Sequence, residues 1–224
     1  MINEKSSKIL LKQRIFLFES VKRTIDIIGS LLLLIIFSPF LIIVAILIKL
    51  SSPGPIIFKQ NRVGRNSRAF KMYKFRSMYV GDMDKFLREK YPELWNKYKK
   101  NDWKLSANED PRITPIGRFI RATSIDEMPQ FINVLKGDMS LVGPRAYRDE
   151  ELKEYASKYP ACRENIAIIR TAKPGITGLW QTSGRNDLNF EQRARLDANY
   201  IKNRSLRQEM FILLKTPFVM ISPW

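Results

Sequence analysis

Histidine is missing from this sequence of 224 residues, and cysteine occurs once, at Cys162. Without histidine, a His-based general acid or base, a serine–histidine triad and the usual zinc sites are excluded. A single cysteine rules out an internal disulfide, and Cys162 reads as a small buried apolar residue. Acidic residues are scarce: 22 Asp and Glu stand against 39 Lys and Arg, a formal net charge of +17. No P-loop, GxGxxG motif, repeat or low-complexity tract is present. Chemistry must therefore rest on carboxylates, hydroxyls, lysine, arginine or a metal held by oxygen.

Charge is also missing from one long run. IIGSLLLLIIFSPFLIIVAILI, between Asp26 and Lys49, holds no charged residue. As a helix it is long enough to cross a bilayer, which takes roughly 20 apolar residues. Ser38-Pro39 sits in its middle, where proline removes a backbone donor and clashes with the preceding turn, so a kink or break is expected. Both flanks are basic. Lys5, Lys8, Lys12, Arg14, Lys22 and Arg23 precede the run, and from Pro55 to Gly81 there are seven basic residues and no acidic one. A spanning helix would put one flank outside, against the positive-inside tendency. A turn at Ser38-Pro39 would leave both flanks facing the anionic leaflet, with the Ser38 hydroxyl bonding a carbonyl one turn earlier. The re-entrant course is favoured and the spanning one stays open. The run is too long and starts too late for a cleaved signal peptide.

The cationic surplus implies an anionic partner: nucleic acid, anionic lipid or a phosphorylated substrate. The apolar run favours the last two. Residues 1–50 are expected to form a basic lead-in and membrane helix, and residues 51–224 one domain on the membrane face with a core of its own.

Taken in order, the lead-in interleaves basic and apolar residues and is expected at headgroup level. SSPGP stops the apolar helix. IIFKQ (56–60) and AFKMYKF (69–75) around NRVGRNSR suggest a β-hairpin. Residues 82–104 read as a charged helix pair interrupted at Pro92, and 105–117 as loop. Ser124-Ile-Asp-Glu127 fits a capping box that opens a helix, which by itself accounts for Glu127. Asp126 is not needed by such a cap, and a carboxylate in a first helical turn is kept ionised by the dipole. One of the two carboxylates could attack while the other holds a cation. Gly143-Pro144-Arg145 ends a tight turn on a guanidinium, whose fork matches phosphate oxygens. Residues 149–170 read as an amphipathic helix broken at Pro160, 171–187 as a loop, and 190–216 as helical. Trp180, Gln181 and Arg185 could stack on and bond a base or sugar, or could pack the domain. The tail FILLKTPFVMISPW is apolar enough to lie in the interface. The fold class expected is helix-rich α+β: a re-entrant helix, interfacial helices and a small hairpin around one catalytic domain.

KRTIDIIGS with SPF, SPGPIIFKQNRVG, KMYKFRSM, TSIDEMPQFINVLKGDMSLVGPR and KPGITGLWQTSGR closely resemble the monotopic phosphoglycosyl transferases, the bacterial sugar transferase family. The likeness covers roughly residues 20–216. The segment SGRND to FEQRARLDANYI is more similar to the hexose-1-phosphate branch, whose larger members carry extra N-terminal transmembrane helices not found in this sequence. The resemblance implies transfer of a sugar-1-phosphate, glucose or galactose by branch, from a UDP-sugar to polyprenyl (undecaprenyl) phosphate, with release of UMP. It implies Asp126 as nucleophile, forming a covalent phosphosugar-aspartate, with Glu127 and Asp126 at Mg²⁺. It places Arg121, Arg145 and Lys74 at phosphate oxygens and the break of the membrane helix at Ser38-Pro39. It further implies the cytoplasmic face of a bacterial inner membrane, anionic lipid around the protein and no nucleic acid. An exposed interfacial C-terminus could serve a homodimer. Ala146 departs from the second proline frequent after GPR, which removes no charge.

Overall fold

The computed structural model describes residues 4–101 and 105–220. Helix α1 (Glu4–Ser51) is followed by a hairpin, β1 (Ile57–Val63) and β2 (Ala69–Phe75), with a 3-10 turn at Arg65–Ser67. Next come α2 (Met83–Lys90), α3 (Pro92–Lys100), α4 (Pro115–Ala122), a 3-10 turn at Ile125–Glu127 and α5 (Gln130–Lys136). The chain continues through β3 (Ser140–Val142), α6 (Asp149–Lys158), α7 (Arg163–Ile169), β4 (Gly175–Thr177), α8 (Leu179–Thr182), α9 (Phe190–Asn203) and α10 (Leu206–Met220). The helix-rich α+β class and the hairpin agree with the sequence reading, as do the interruptions at Pro92 and Pro160.

Three expectations need correction. Helix α1 runs through Ser38-Pro39 without an unwound break, so helix-break-helix does not describe it. Proline cannot donate to the carbonyl four residues back, that of Ile35. The Ser38 hydroxyl donates to that same oxygen at 2.8 Å and so replaces the missing bond. The loop at 105–117 ends early, because Thr114 caps Gly117 N (3.0 Å) and Pro115 opens α4. Residues 171–187 are not all loop. Gly175–Thr177 pairs in parallel with β3, in the register Ser140 with Gly175 and Val142 with Thr177. Three-residue strands are too short to show an alternating pattern, which is why periodicity missed them.

The chain divides into two compact units. One comprises α1 up to Leu34, Asn61–Phe70 and Phe131–Val219. A cluster of buried rings and aliphatics joins α6, α7 and α9: Tyr147, Leu152, Tyr155, Cys162, Ile166, Ile169, Phe190 and Ala194. Tyr155 stacks on Phe190 with ring centres 3.7 Å apart. Cys162 is buried there, as expected of a small apolar residue. The early part of α1 is tied to this unit by polar side chains. Lys22 Nζ donates to Val142 O (2.9 Å) and pairs with Glu209, Tyr200 Oη donates to the same Val142 oxygen (3.2 Å), and Asp26 accepts from Ser140 Oγ (3.0 Å) and Leu141 N (2.9 Å). Arg23 forks onto the carbonyls of Val134 (2.6 Å) and Leu135 (2.8 Å) at the end of α5. Lys22 and Arg23, read from sequence as a headgroup-facing flank, thus both hold partners within the protein.

The other unit comprises Ile35–Gln60 and Lys71–Gln130. Its core packs Val44 and Ile48 of α1 against Phe75 of β2 and Ile120 of α4. The α1 C-terminus is capped by Arg76. Its buried guanidinium donates to the carbonyls of Ile48 (2.9 Å), Ser52 (2.7 Å) and Pro53. A cation at a helix C-terminus satisfies both the orphan carbonyls and the dipole.

Large apolar side chains stay exposed along α1, from Ile27 through Ile36 (66%) to Leu50 (78%). By length and composition alone this helix could cross a membrane. On α10, Leu206, Met210, Leu214 and Phe218 are exposed every fourth residue, which is one helix face. Residues 221–224 of the tail and the side chains of residues 4–12 of the lead-in lie outside the described residues.

Candidate active site

The site starts from strand alternation. Successive β2 residues point to opposite faces, so Phe75 enters the core while Lys74 faces the other way. Lys74 Nζ meets the turn between α4 and α5. It donates to Glu127 Oε1 at 2.6 Å and lies 3.9 Å from Asp126 Oδ2. One ammonium therefore serves both carboxylates. Arg121, near the end of α4, adds positive potential at Asp126.

How Asp126 and Glu127 are presented differs from the capping box. Ser124 is left-handed (φ 56°), and its side chain caps nothing at the start of the turn. It ends α4 instead, its N–H donating to Arg121 O (3.2 Å) and its carbonyl accepting from Glu127 N (3.1 Å). Ile125–Glu127 then forms a 3-10 turn, and α5 starts only at Gln130. Pro129 supplies the reason, since it sits just before the helix start that its fixed φ favours. A non-glycine residue at positive φ costs on the order of 1 kcal/mol or more, and such strain gathers at functional turns. Ile125, beside Asp126, packs against the Phe75–Ile120 core and anchors the turn from below.

The helix-dipole expectation for Asp126 also fails. Burial pushes its carboxyl up from 3.8 to about 6. Lys74 and Arg121 pull it down and Glu127 pushes it up, but desolvation dominates. Asp126 is 8% exposed, whereas the Glu127 side chain is 33% exposed. One carboxylate is sheltered and the other reaches solvent, so the two have different environments.

Asp126 and Glu127 supply two hard oxygen donors. Among the described residues no cluster of three His, Cys, Asp or Glu could hold a metal. That donor set fits Mg²⁺, which is commonly bound by one or two carboxylates completed by water and substrate phosphates.

Arg145 lies in the unit built on α9. Its backbone N–H donates to Asp197 Oδ2 (3.0 Å), which also accepts from Tyr147 Oη (3.2 Å). Its guanidinium lies 5.3 Å from the centre of the Trp180 ring, and its buried Nε has no partner among the described residues. Burial pushes Asp197 up to about 7. The turn carrying Arg145 is held on the KPGITG segment by Gly143 N to Thr177 O and Gly175 N to Pro144 O, both 2.9 Å. A Cβ at Gly175 would sit 2.1 Å from Gly143 N, so this approach requires glycine. Trp180 is buried between Arg145 and Arg193. Gln181 Nε2 donates to Ile176 O (3.3 Å) and Arg185 Nη1 to Val219 O (3.0 Å). These contacts hold all three residues against the domain, while Trp180 Nε1 and Gln181 Oε1 stay without a hydrogen-bond partner among the described residues.

Sequence reasoning missed Asp197 as the support of Arg145 and Arg76 as the cap of α1. A charge inside the apolar pattern of α9 was the signal for Asp197.

A family model described as bacterial sugar transferase matches residues 17–223. The chain belongs to that family. Among relatives of this family, the undecaprenyl-phosphate galactose phosphotransferase of Salmonella typhimurium is 44% identical over 90% of this chain and 40% of its own length. The UDP-glucose:undecaprenyl-phosphate glucose-1-phosphate transferase of Escherichia coli is 37% identical over 88% of this chain and 39% of its own. The exopolysaccharide production protein ExoY of Sinorhizobium fredii is 37% identical over 90% of this chain and 86% of its own. The chain spans about two fifths of the length of the first of these sugar transferases.

Proposed function

We propose that this chain transfers hexose-1-phosphate, glucose or galactose, from a UDP-hexose to undecaprenyl phosphate. The observation that carries this reading is the single ammonium of Lys74 between the sheltered Asp126 and the more open Glu127. Transfer of a phosphoryl group needs charge neutralisation more than proton relays, and this chain offers lysine and arginine and no histidine.

In the proposed sequence, an Asp126 carboxylate oxygen attacks the sugar-bearing phosphorus. The bond from that phosphorus to the bridging oxygen breaks, and UMP leaves with the electron pair. An oxygen of undecaprenyl phosphate then attacks the same phosphorus. The bond to Asp126 breaks, the carboxylate is restored, and undecaprenyl diphosphate-hexose departs. Attack requires ionised Asp126, so a carboxyl near 6 is largely ready at neutral pH. Lys74 and Arg121 stabilise negative charge on the phosphate oxygens. Glu127 and Asp126 would hold Mg²⁺, whose chemistry is to neutralise phosphate charge.

The exposed apolar faces of α1 and α10 support a place at a bilayer surface. The proline inside α1, Pro39, together with the basic residues on both sides of the apolar run, supports entry and exit of α1 on the cytoplasmic face. Tags at both termini should then be shielded in intact cells; an exposed N-terminus would establish a spanning helix instead. Purified protein is to be incubated with a panel of UDP-sugars, undecaprenyl phosphate and Mg²⁺, scoring UMP. Release from UDP-glucose or UDP-galactose is expected. No release from any sugar would overturn the reading, and a phosphosugar adduct that persists in Asp126→Asn would overturn the nucleophile.

A further inference from the structure

One cluster of cations has no part in this chemistry. Lys173, at the start of the KPGITG segment, is half-buried and makes no hydrogen bond or ion pair with any described residue. A Cβ built at Gly137 would lie 3.7 Å from Lys173 Nζ and 3.7 Å from Arg23 Nη2. Gly137 follows α5 at φ +84°, where a side chain is disfavoured, so the space between the two cations stays open. Arg23 is held there by its two bonds to the α5 carbonyls, which use only part of its five N–H donors. Arg65, from the hairpin turn, adds a third positive charge and is 3.9 Å from Glu19. Glu19 also binds Arg204 at 2.7 Å, and Asp26 is committed to Ser140 and Leu141. The nearby carboxylates are therefore shared or spent. Burial, then the Arg23 charge, holds the Lys173 ammonium below the usual lysine value, and Arg65 adds to this.

Three cations around a gap with too little negative charge describe a receptor for an anion. Location says which kind. Arg23 lies one helical turn before Ile27, where the uncharged apolar run of α1 begins, and exposed Phe16 and Leu17 precede it on the same helix. A group at that level of a membrane-bound helix sits among headgroups. We propose that Lys173, Arg23 and Arg65 form a binding site for a phosphate group, open at Gly137. This goes beyond the transfer reaction and does not depend on it. Lipid phosphate and inorganic phosphate share this chemistry.

The test reads Lys173 itself. Acetylation of Lys173 by a water-soluble amine reagent is followed by mass spectrometry in the full chain, with exposed Lys153 as internal reference. Three conditions are compared: neutral detergent, the same detergent with inorganic phosphate, and phosphatidylglycerol bilayer discs. An opposite charge within about 4–6 Å of an ammonium raises its pKa by one unit or more, so labelling should slow about tenfold. Slowing in the discs alone assigns the site to lipid phosphate, and slowing by inorganic phosphate as well assigns it to a soluble phosphate. Unchanged labelling in both overturns the proposal. Arg65→Gln, at an exposed turn residue, should weaken the protection several-fold. Full protection in this variant would mean steric shielding by lipid and would also overturn the site. None of these readouts requires the protein to release UMP.

Discussion

Replacing Asp126 by Asn should abolish transfer and yet make the folded protein more stable. The reason is the direction in which burial moves the carboxyl. Its folded value of about 6 stands above the ordinary 3.8, so the folded state favours the protonated form. Stability associated with this group is complete below pH 3.8 and is lost as pH rises through about 6. The shift is about two units at about 1.4 kcal/mol each, so the ionised carboxylate costs about 3 kcal/mol at pH 7.5. Asparagine keeps the shape and removes the charge. The difference between Asp126→Asn and the parent should then be about 3 kcal/mol at pH 7.5 and below about 1 kcal/mol at pH 4. Thermal unfolding of both proteins in one detergent, stepped from pH 4 to 8, measures it. A gap that does not widen with pH, or a variant less stable than the parent at pH 7.5, would refute the account of Asp126 as a desolvated carboxylate held for chemistry.

Transfer should fall about tenfold per pH unit below about 6, as Asp126 protonates. Lys74→Met removes the larger of the two attractions that hold Asp126 down, so the acid limb should move to higher pH while activity drops; an unmoved limb would detach Lys74 from Asp126. Arg76→Leu leaves three carbonyls at the end of α1 without their donor and should cost about 3 kcal/mol or more in thermal unfolding. Gly117→Ala would place a Cβ 1.9 Å from Ser77 O. It should displace α4, costing about 2 kcal/mol and lowering kcat, and a neutral result would show that α4 does not set the position of Asp126.

The motifs carried the family without ambiguity, because each is a run of residues whose order can be read directly. The hairpin was legible from the short aliphatic and aromatic runs on either side of NRVGRNSR, and the paired helices from Pro92 and Pro160. The parallel contact of β3 with β4 was not, since three-residue strands far apart in sequence carry no local signal. The capping-box reading failed on similar grounds. Ser-x-x-Glu describes a common helix start, but the left-handed Ser124 and the core contacts of Ile125 select a 3-10 turn instead. Basic residues were counted correctly and placed poorly. Lys22, Arg23 and Arg76 are used inside the protein, whereas Lys173 drew no notice among the other lysines.

The sequence alone thus determined the chemistry on offer: no histidine, a cationic surplus, an Asp-Glu pair and a long apolar helix carrying Ser38-Pro39. These follow from residue identity and order. Tertiary structure decided what each charge does. Whether a lysine caps, pairs or waits for an anion depends on neighbours brought from far along the chain. So does whether burial lifts a carboxyl to about 6 while the one beside it reaches solvent. Solvation and distance set those answers, and neither is a property of a residue in isolation.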